Sequence, residues 1–170
     1  YVTSIQKPMI HNASKVIEAI EQAKQKNVDL VIFAEQALSG TPAYDLLNKA
    51  TFVELCEEEL ERIAEHCDSL TAIVGSPVAG DEGTVSAAVI IERGEITRRI
   101  AKQYVDYRDE MGYIHPSTGP EVITVAGEQV AVVVGNDIVR VHDCDRSVST
   151  IININARRFR KRVLEARYEK

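Results

Sequence analysis

Apolar and polar positions along the chain fall into two rhythms. From Ala13 to Ala23 the apolar residues Ala13, Val16, Ile17, Ile20 and Ala23 recur every three or four positions, while Lys15, Glu18, Glu21 and Lys24 fall between them. That spacing puts the apolar residues on one face of a helix and the charges on a solvated face. Asn12 can cap this helix, which should run to about Asn27. Ahead of it, Tyr1–Gln6 reads as a short strand broken by Pro8. A second helix is expected from about Phe52 to Cys67. Leu55, Cys56, Leu60, Ile63, Ala64 and Cys67 face inward on it, and Thr51 and Glu54 supply a capping box.

The other rhythm is that of strands. Leu30–Ala34, Thr71–Gly75 and Val85–Glu92 are apolar runs of strand length. Gly94 makes a tight turn into Glu95–Lys102, so that this strand and the one before it form a hairpin. Glu121–Val125 and Gln129–Val134, joined by Ala126-Gly127, form a second hairpin, and Ser149–Ile154 is a last strand. The run Val130–Val134 is small and mostly β-branched, suited to a strand buried on both faces. A short helix should follow it, and residues 157–168 read as a basic helical tail. Residues 39–43 and the polar, tyrosine-rich stretch 103–120 read as loops; one as long as the second is usually functional. Helices alternating with strands, followed by two hairpins, imply an α/β fold with a mixed sheet rather than an all-parallel one.

Composition narrows the function classes. The chain has 170 residues, 45% of them hydrophobic, enough for one domain with a substantial core. A net charge of −6 disfavours a nucleic-acid partner. It also favours a solvated helix over a phosphate or nucleic-acid site for the basic tail. No apolar run has the length of a membrane helix, and no signal-peptide pattern opens the chain. The three cysteines, Cys56, Cys67 and Cys144, follow no disulfide framework, which points to a reducing, cytoplasmic setting. Cys56 and Cys67 read most simply as core residues; a metal site with His66 lacks ligand spacing, and no metal is expected.

Three strand ends carry the candidate chemistry. Glu35 closes an apolar strand, where a charge is costly unless it is exposed or paired. By itself it is either a functional residue or a structural cap or ion-pair member. Lys102 closes the second strand of the first hairpin. The third end is the turn Gly135-Asn136-Asp137 after Val134. A glutamate, a lysine and a turn, each after an apolar strand, resemble the nitrilase, or carbon–nitrogen hydrolase, superfamily. Further motifs resemble one branch of it, the glutaminase domain of glutamine-dependent NAD synthetases. They are EQALSGTPAYDLL at 35–47, VGSP at 74–77, Lys102-Gln103 with Asp109-Glu110, Tyr113 and Pro116, and IININA at 151–156.

The resemblance implies an α-β-β-α sandwich with mixed sheets, incomplete here at its C-terminal end. Residues 1–170 would be a glutaminase-type fragment without its synthetase domain. It implies Glu35 as general base, Lys102 as oxyanion partner and Glu110 as a second glutamate orienting Lys102. Tyr113 and Asn155 would contact substrate. In that chemistry a cysteine thiolate attacks an amide carbon, the glutamate takes the thiol proton and later activates water, and the lysine stabilises the tetrahedral oxyanion. The family's nucleophile position, however, corresponds to Gly135, which has no side chain to attack with; the bland reading is a turn whose backbone favours glycine. Cys144, nine residues on, and a triad of His142, Asp143 and Ser147 are poor substitutes. Thr41 stands where the branch usually has tyrosine. The chain also looks short between Gln6 and Asn12 and between Gly135 and Asn153. The expectation is therefore a hydrolytically degenerate domain; the alternatives are an active carbon–nitrogen hydrolase in which Gly135 is an engineered or misaligned position, and a non-catalytic α/β interaction or ligand-binding domain. Its partners would be a synthetase domain of the same protein, a second copy in a homo-oligomer, and glutamine. ATP and magnesium would be needed only by the synthetase domain, and no cofactor by this one.

Overall fold

The computed structural model describes residues 2–105, 112–143 and 148–156. The first helix, α1, is Val2–Gln25 and contains Pro8. It overturns the expected strand Tyr1–Gln6 and the expected start at Asn12. The packing stripe explains why. Met9, Ala13, Val16 and Ile20 are all buried at helical spacing, so the helix is anchored upstream of Asn12. Pro8 deprives one turn of a hydrogen bond without ending it. Asn12, now inside the helix, donates from Nδ2 to Leu38 O at 3.0 Å and ties α1 to the segment after Glu35.

β1 (Leu30–Ile32) is followed by a 3-10 turn, Tyr44–Asn48, and by α2 (Ala50–Ala64). The expected capping box is absent. Lys49 is the N-cap with no side-chain bond, and Thr51 lies inside the first turn. The 3-10 turn feeds the helix directly, through Lys49 N to Leu46 O and Phe52 N to Lys49 O, so winding starts before Thr51 can act as a cap. Cys67 lies beyond the helix end but is fully buried, as is Cys56, which agrees with their reading as core residues. His66 bonds through Nδ1 to Glu21 (2.9 Å), and among the described residues no group of three or more His, Cys, Asp or Glu is arranged for a metal.

Two mixed sheets follow. β2 (Thr71–Ala79), β3 (Thr84–Glu92) and β4 (Glu95–Ala101) join β1 in the order β1-β2-β3-β4, with β1 parallel to β2 and the rest antiparallel. β2 continues past Pro77, where β1 no longer pairs with it, and such an edge tolerates proline. β5 (Glu121–Val125), β6 (Glu128–Val134) and β7 (Thr150–Ile154) form the second sheet, β5-β6 antiparallel and β6-β7 parallel. A 3-10 stretch, Gly135–Asp143, takes the place of the expected short helix.

One core lies between the two helices and the first sheet, built on Ile20, Leu60 and Ile63 against Ala72, Val74, Val89 and Ile91. The other lies between the sheets, where Ile73, Ile90 and Ile100 meet Val130, Val132, Val134 and Ile152. Ala131 and Val133, on the opposite face of β6, are also fully buried, as the apolar run from Val130 to Val134 implied. Among the described residues no helix is long and apolar enough to cross a membrane.

Candidate functional site

The three strand ends singled out in the sequence meet at one edge of the sheets. Glu35 is held there by its backbone. Phe33 N donates to Ile73 O (2.8 Å) and Leu38 N to Gly75 O (3.3 Å), so the chain leaving β1 hugs β2. Gly75 makes the approach possible: a Cβ on it would stand 2.2 Å from Ala34 O and 2.5 Å from Glu35 Cα. The Glu35 side chain is 3% exposed. Its Oε1 accepts from Ser86 Oγ (2.9 Å) and Lys102 Nζ (3.0 Å), and its Oε2 from the backbone N–H of Ala156 (3.1 Å).

Lys102 follows β4 directly and is likewise 3% exposed. Its N–H donates to Ser86 O (2.8 Å) and its carbonyl accepts from Ser117 N (2.9 Å). A buried charge pair of this kind needs both partners, because removing one leaves a desolvated ion.

Gly135 ends β6 with φ +58°, in the left-handed region that favours glycine. A Cβ built there would lie 2.7 Å from Lys102 Cε, 2.8 Å from Lys102 Nζ and 3.2 Å from Glu35 Oε2. The tip of Lys102 thus occupies the space into which a side chain at position 135 would project. With its amide nitrogen turned toward its acceptors, Asn153 donates to Gly135 O (3.3 Å) and Ile154 O (3.1 Å), which holds the turn against β7.

Two residues at this site escaped the sequence reading. Asp137, 1% exposed, accepts from the N–H groups of Gln103 (Oδ2, 2.8 Å) and Tyr104 (Oδ1, 2.6 Å). Burial raises its pKa, against the opposing pull of these two donors and of the Lys102 charge; the Glu35 charge raises it further. The signal that marked Glu35, a carboxylate at the end of a buried strand, applies equally to Asp137. Ser86 is the other. A lone hydroxyl within Val85–Ile91 must find a partner once buried, and the partner is Glu35.

The expected substrate contacts fare differently. Asn155 is half-buried and precedes Ala156, so it stands beside Glu35. Tyr113 packs on the helix-side core and meets Tyr44 edge-on, ring centroids 6.5 Å apart. Glu110, Cys144, Ser147 and the basic segment from Arg157 to Tyr168 lie outside the described residues. A groove of about 800 Å³ opens elsewhere, lined by Leu47, Val53, Glu54, Glu57, Glu61 and His115 among others; neither Glu35 nor Lys102 lines it.

No family model matches the chain. It is 35% identical over 133 residues to a glutamine-dependent NAD(+) synthetase of Xanthomonas campestris pv. campestris, an overlap of 75% of this chain and 24% of that protein. The chain therefore spans about a quarter of the length of that relative. Its structure superposes on a glutamine-dependent NAD+ synthetase from Acinetobacter baumannii, solved with ADP, with a TM-score of 0.81 at 20% identity, covering 94% of this chain and 32% of that one. An amidase from Nesterenkonia sp. AN1, solved as a variant with acrylamide added at its active-site cysteine, gives a TM-score of 0.77 at 18% identity over 92% of this chain and 65% of that one. The chain therefore shares the α/β fold of NAD synthetases and of amidases of the nitrilase superfamily, and its sequence is similar to a part of the glutamine-dependent NAD synthetases.

Proposed function

We propose that this chain is the glutaminase-type domain of an NAD synthetase and that it does not hydrolyse glutamine. One observation carries the reading. The turn that faces the Glu35–Lys102 pair begins with Gly135, whose missing Cβ would point at Lys102 Nζ and Glu35 Oε2. In the chemistry implied by the family, Glu35 Oε2 would take the thiol proton and Lys102 would stabilise the oxyanion. Glu35 and Lys102 lie beside the turn, and Gly135 has no side chain that could attack, which supports the reading.

The described cysteines support the same reading. Cys56 and Cys67 are both fully buried away from the pair, in the helix-side core. Burial pushes their thiols up to about 12 and about 11, so neither forms a thiolate near neutral pH. The Nesterenkonia amidase, by contrast, carries its adduct on an active-site cysteine.

On this reading the longer protein makes NAD from its deamido precursor with free ammonia, and this domain serves as a scaffold for the synthetase portion and as an oligomer interface. ATP and magnesium belong to the synthetase portion. The setting is cytoplasmic. Tyr113 and Asn155 are assigned to a residual glutamine contact on resemblance alone.

The test is direct. The chain is incubated with glutamine, and glutamate and ammonia are measured against a no-protein control. No release above background is expected; glutamate production that scales with protein concentration would overturn the proposal. Gly135→Cys is a second arm. If Glu35 and Lys102 remain aligned for the family's chemistry, the new thiol reacts with an alkylating reagent and confers glutamine hydrolysis.

A further inference from the structure

We infer that Glu35 and Asp137 form a reciprocal clamp between the two sheets, each reaching from its own sheet to the backbone of the other. Glu35 leaves β1 of the first sheet and accepts the N–H of Ala156, just past β7 of the second. Asp137 leaves β6 of the second sheet and accepts the N–H groups of Gln103 and Tyr104, just past β4 of the first. The two carboxylates thus cross-link the same pair of sheets in opposite directions, on either side of Lys102 and Gly135. The inference rests on this geometry and stands whether or not the chain hydrolyses an amide.

The clamp answers a physical need. Among the described residues the buried contact between the sheets is made mainly by Ile, Val and Ala side chains, and the Arg98–Glu121 pair that also joins β4 to β5 is exposed. Apolar burial is non-directional and leaves sliding of one sheet over the other weakly opposed. Charge-assisted hydrogen bonds to backbone N–H groups are short and directional, so they fix where the strand ends stand. The donors also sit at informative places. Gln103 and Tyr104 directly follow Lys102, so Asp137 holds the main chain that carries the lysine. Ala156 directly follows Asn155, so Glu35 holds the end of the last described strand. Asp137 is therefore a positioning residue for Lys102, acting from the turn that begins at Gly135. Ser86, donating to Glu35 Oε1, steadies the other arm.

Amide hydrogen exchange, followed residue by residue by NMR on the whole chain, tests this. In the wild-type protein the amides of Gln103, Tyr104 and Ala156 should be protected although they lie outside the strand ladders; free exchange at all three would sink the inference. In Asp137→Ala, exchange at Gln103 and Tyr104 should rise about tenfold or more, the loss expected for bonds to a charged acceptor. Exchange at Ala156 should rise as well, by less, because both arms hold the same sheets. Glu35→Gln should give the converse pattern, and Asp137→Asn, which keeps one acceptor oxygen, an intermediate one. If each substitution frees only its own donors, the carboxylates are local caps and the reciprocal clamp is wrong. Should Asp137→Ala fail to fold, Asp137→Asn and Glu35→Gln still decide between cross-effect and local effect.

Discussion

Replacing Gly135 by alanine is the sharpest probe of the site, because the sign of the effect separates two pictures. At a position with ordinary backbone geometry, glycine to alanine stabilises a protein by about 0.4–1 kcal/mol through the unfolded chain. Here φ is +58°, and an L-residue in the left-handed region costs about 1–2 kcal/mol. Backbone terms alone thus give a net loss of about 0–1.6 kcal/mol. The steric term decides the rest. The new methyl would sit 2.7 Å from Lys102 Cε and 2.8 Å from Lys102 Nζ, so the lysine tip must retreat. If Lys102 moves and keeps its 3.0 Å bond to Glu35, little is added. If the pair separates, an uncompensated buried charge adds about 3–5 kcal/mol.

Urea unfolding at constant m-value measures the sum. The steric part is isolated by repeating the substitution in a Glu35→Gln/Lys102→Ala background, where neither the lysine tip nor a buried charge remains. Gly135→Ala should cost more in the native background than in the stripped one. Equal costs in both backgrounds would mean that Lys102 retreats with its bond to Glu35 intact, and stabilisation in the native one would refute the claim that Lys102 fills the space above Gly135.

Other expectations follow from the same geometry. Glu35→Ala leaves Lys102 buried without this carboxylate and should lower unfolding free energy by about 3–5 kcal/mol, read from the urea midpoint; a loss under about 1 kcal/mol would mean that the pair is solvated. Gly75→Ala sets a methyl 2.2 Å from the Ala34 carbonyl and should destabilise by about 1–3 kcal/mol or more; a neutral result would contradict the close approach of the Glu35 segment. Asp137 has a raised pKa in the folded state, so the native chain binds the extra proton. Its contribution to stability is present at low pH and is lost as pH rises from the unfolded carboxylate value through the folded one. Wild type should show this downward limb relative to Asp137→Asn, and parallel pH profiles would contradict it.

The sequence disclosed the fold where hydrophobic rhythm was unambiguous. The two hairpins, the start of β1 at Leu30 and the doubly buried β6 all appear close to where apolar runs and glycine turns put them. The misread places have specific physical causes. Pro8 has the local backbone preference of a breaker, but the burial of Met9 in the helix-side core pins α1 upstream and overrides it. Thr51 and Glu54 have the spacing of a capping box, but a 3-10 turn that the sequence does not reveal runs straight into α2. At the site, Glu35, Lys102 and Gly135 were legible because each stands at a strand end. Asp137 carries the same strand-end signal as Glu35, but its partners, like that of Ser86, lie far off in sequence, 34 residues away at Gln103 and 51 residues away at Glu35, and no local pattern encodes those contacts.

Gly135 and the Glu35–Lys102 pair carry different structural burdens. Gly135 has no side chain and brings no charge into the buried site. Glycine even suits the backbone at φ +58°. Glu35 and Lys102 are different. Each is buried, and the two pair at 3.0 Å, so loss of either one takes a charged partner from the other in a medium that solvates ions poorly. Glu35 is further committed to Ser86 and Ala156, and the main chain after Lys102 to Asp137. Substitution at Gly135 therefore bears on chemistry and local strain, whereas substitution at Glu35 or Lys102 bears on the stability of the fold. Retention of the pair is accordingly no evidence for amide hydrolysis, and only an assay of glutamate release can supply that evidence.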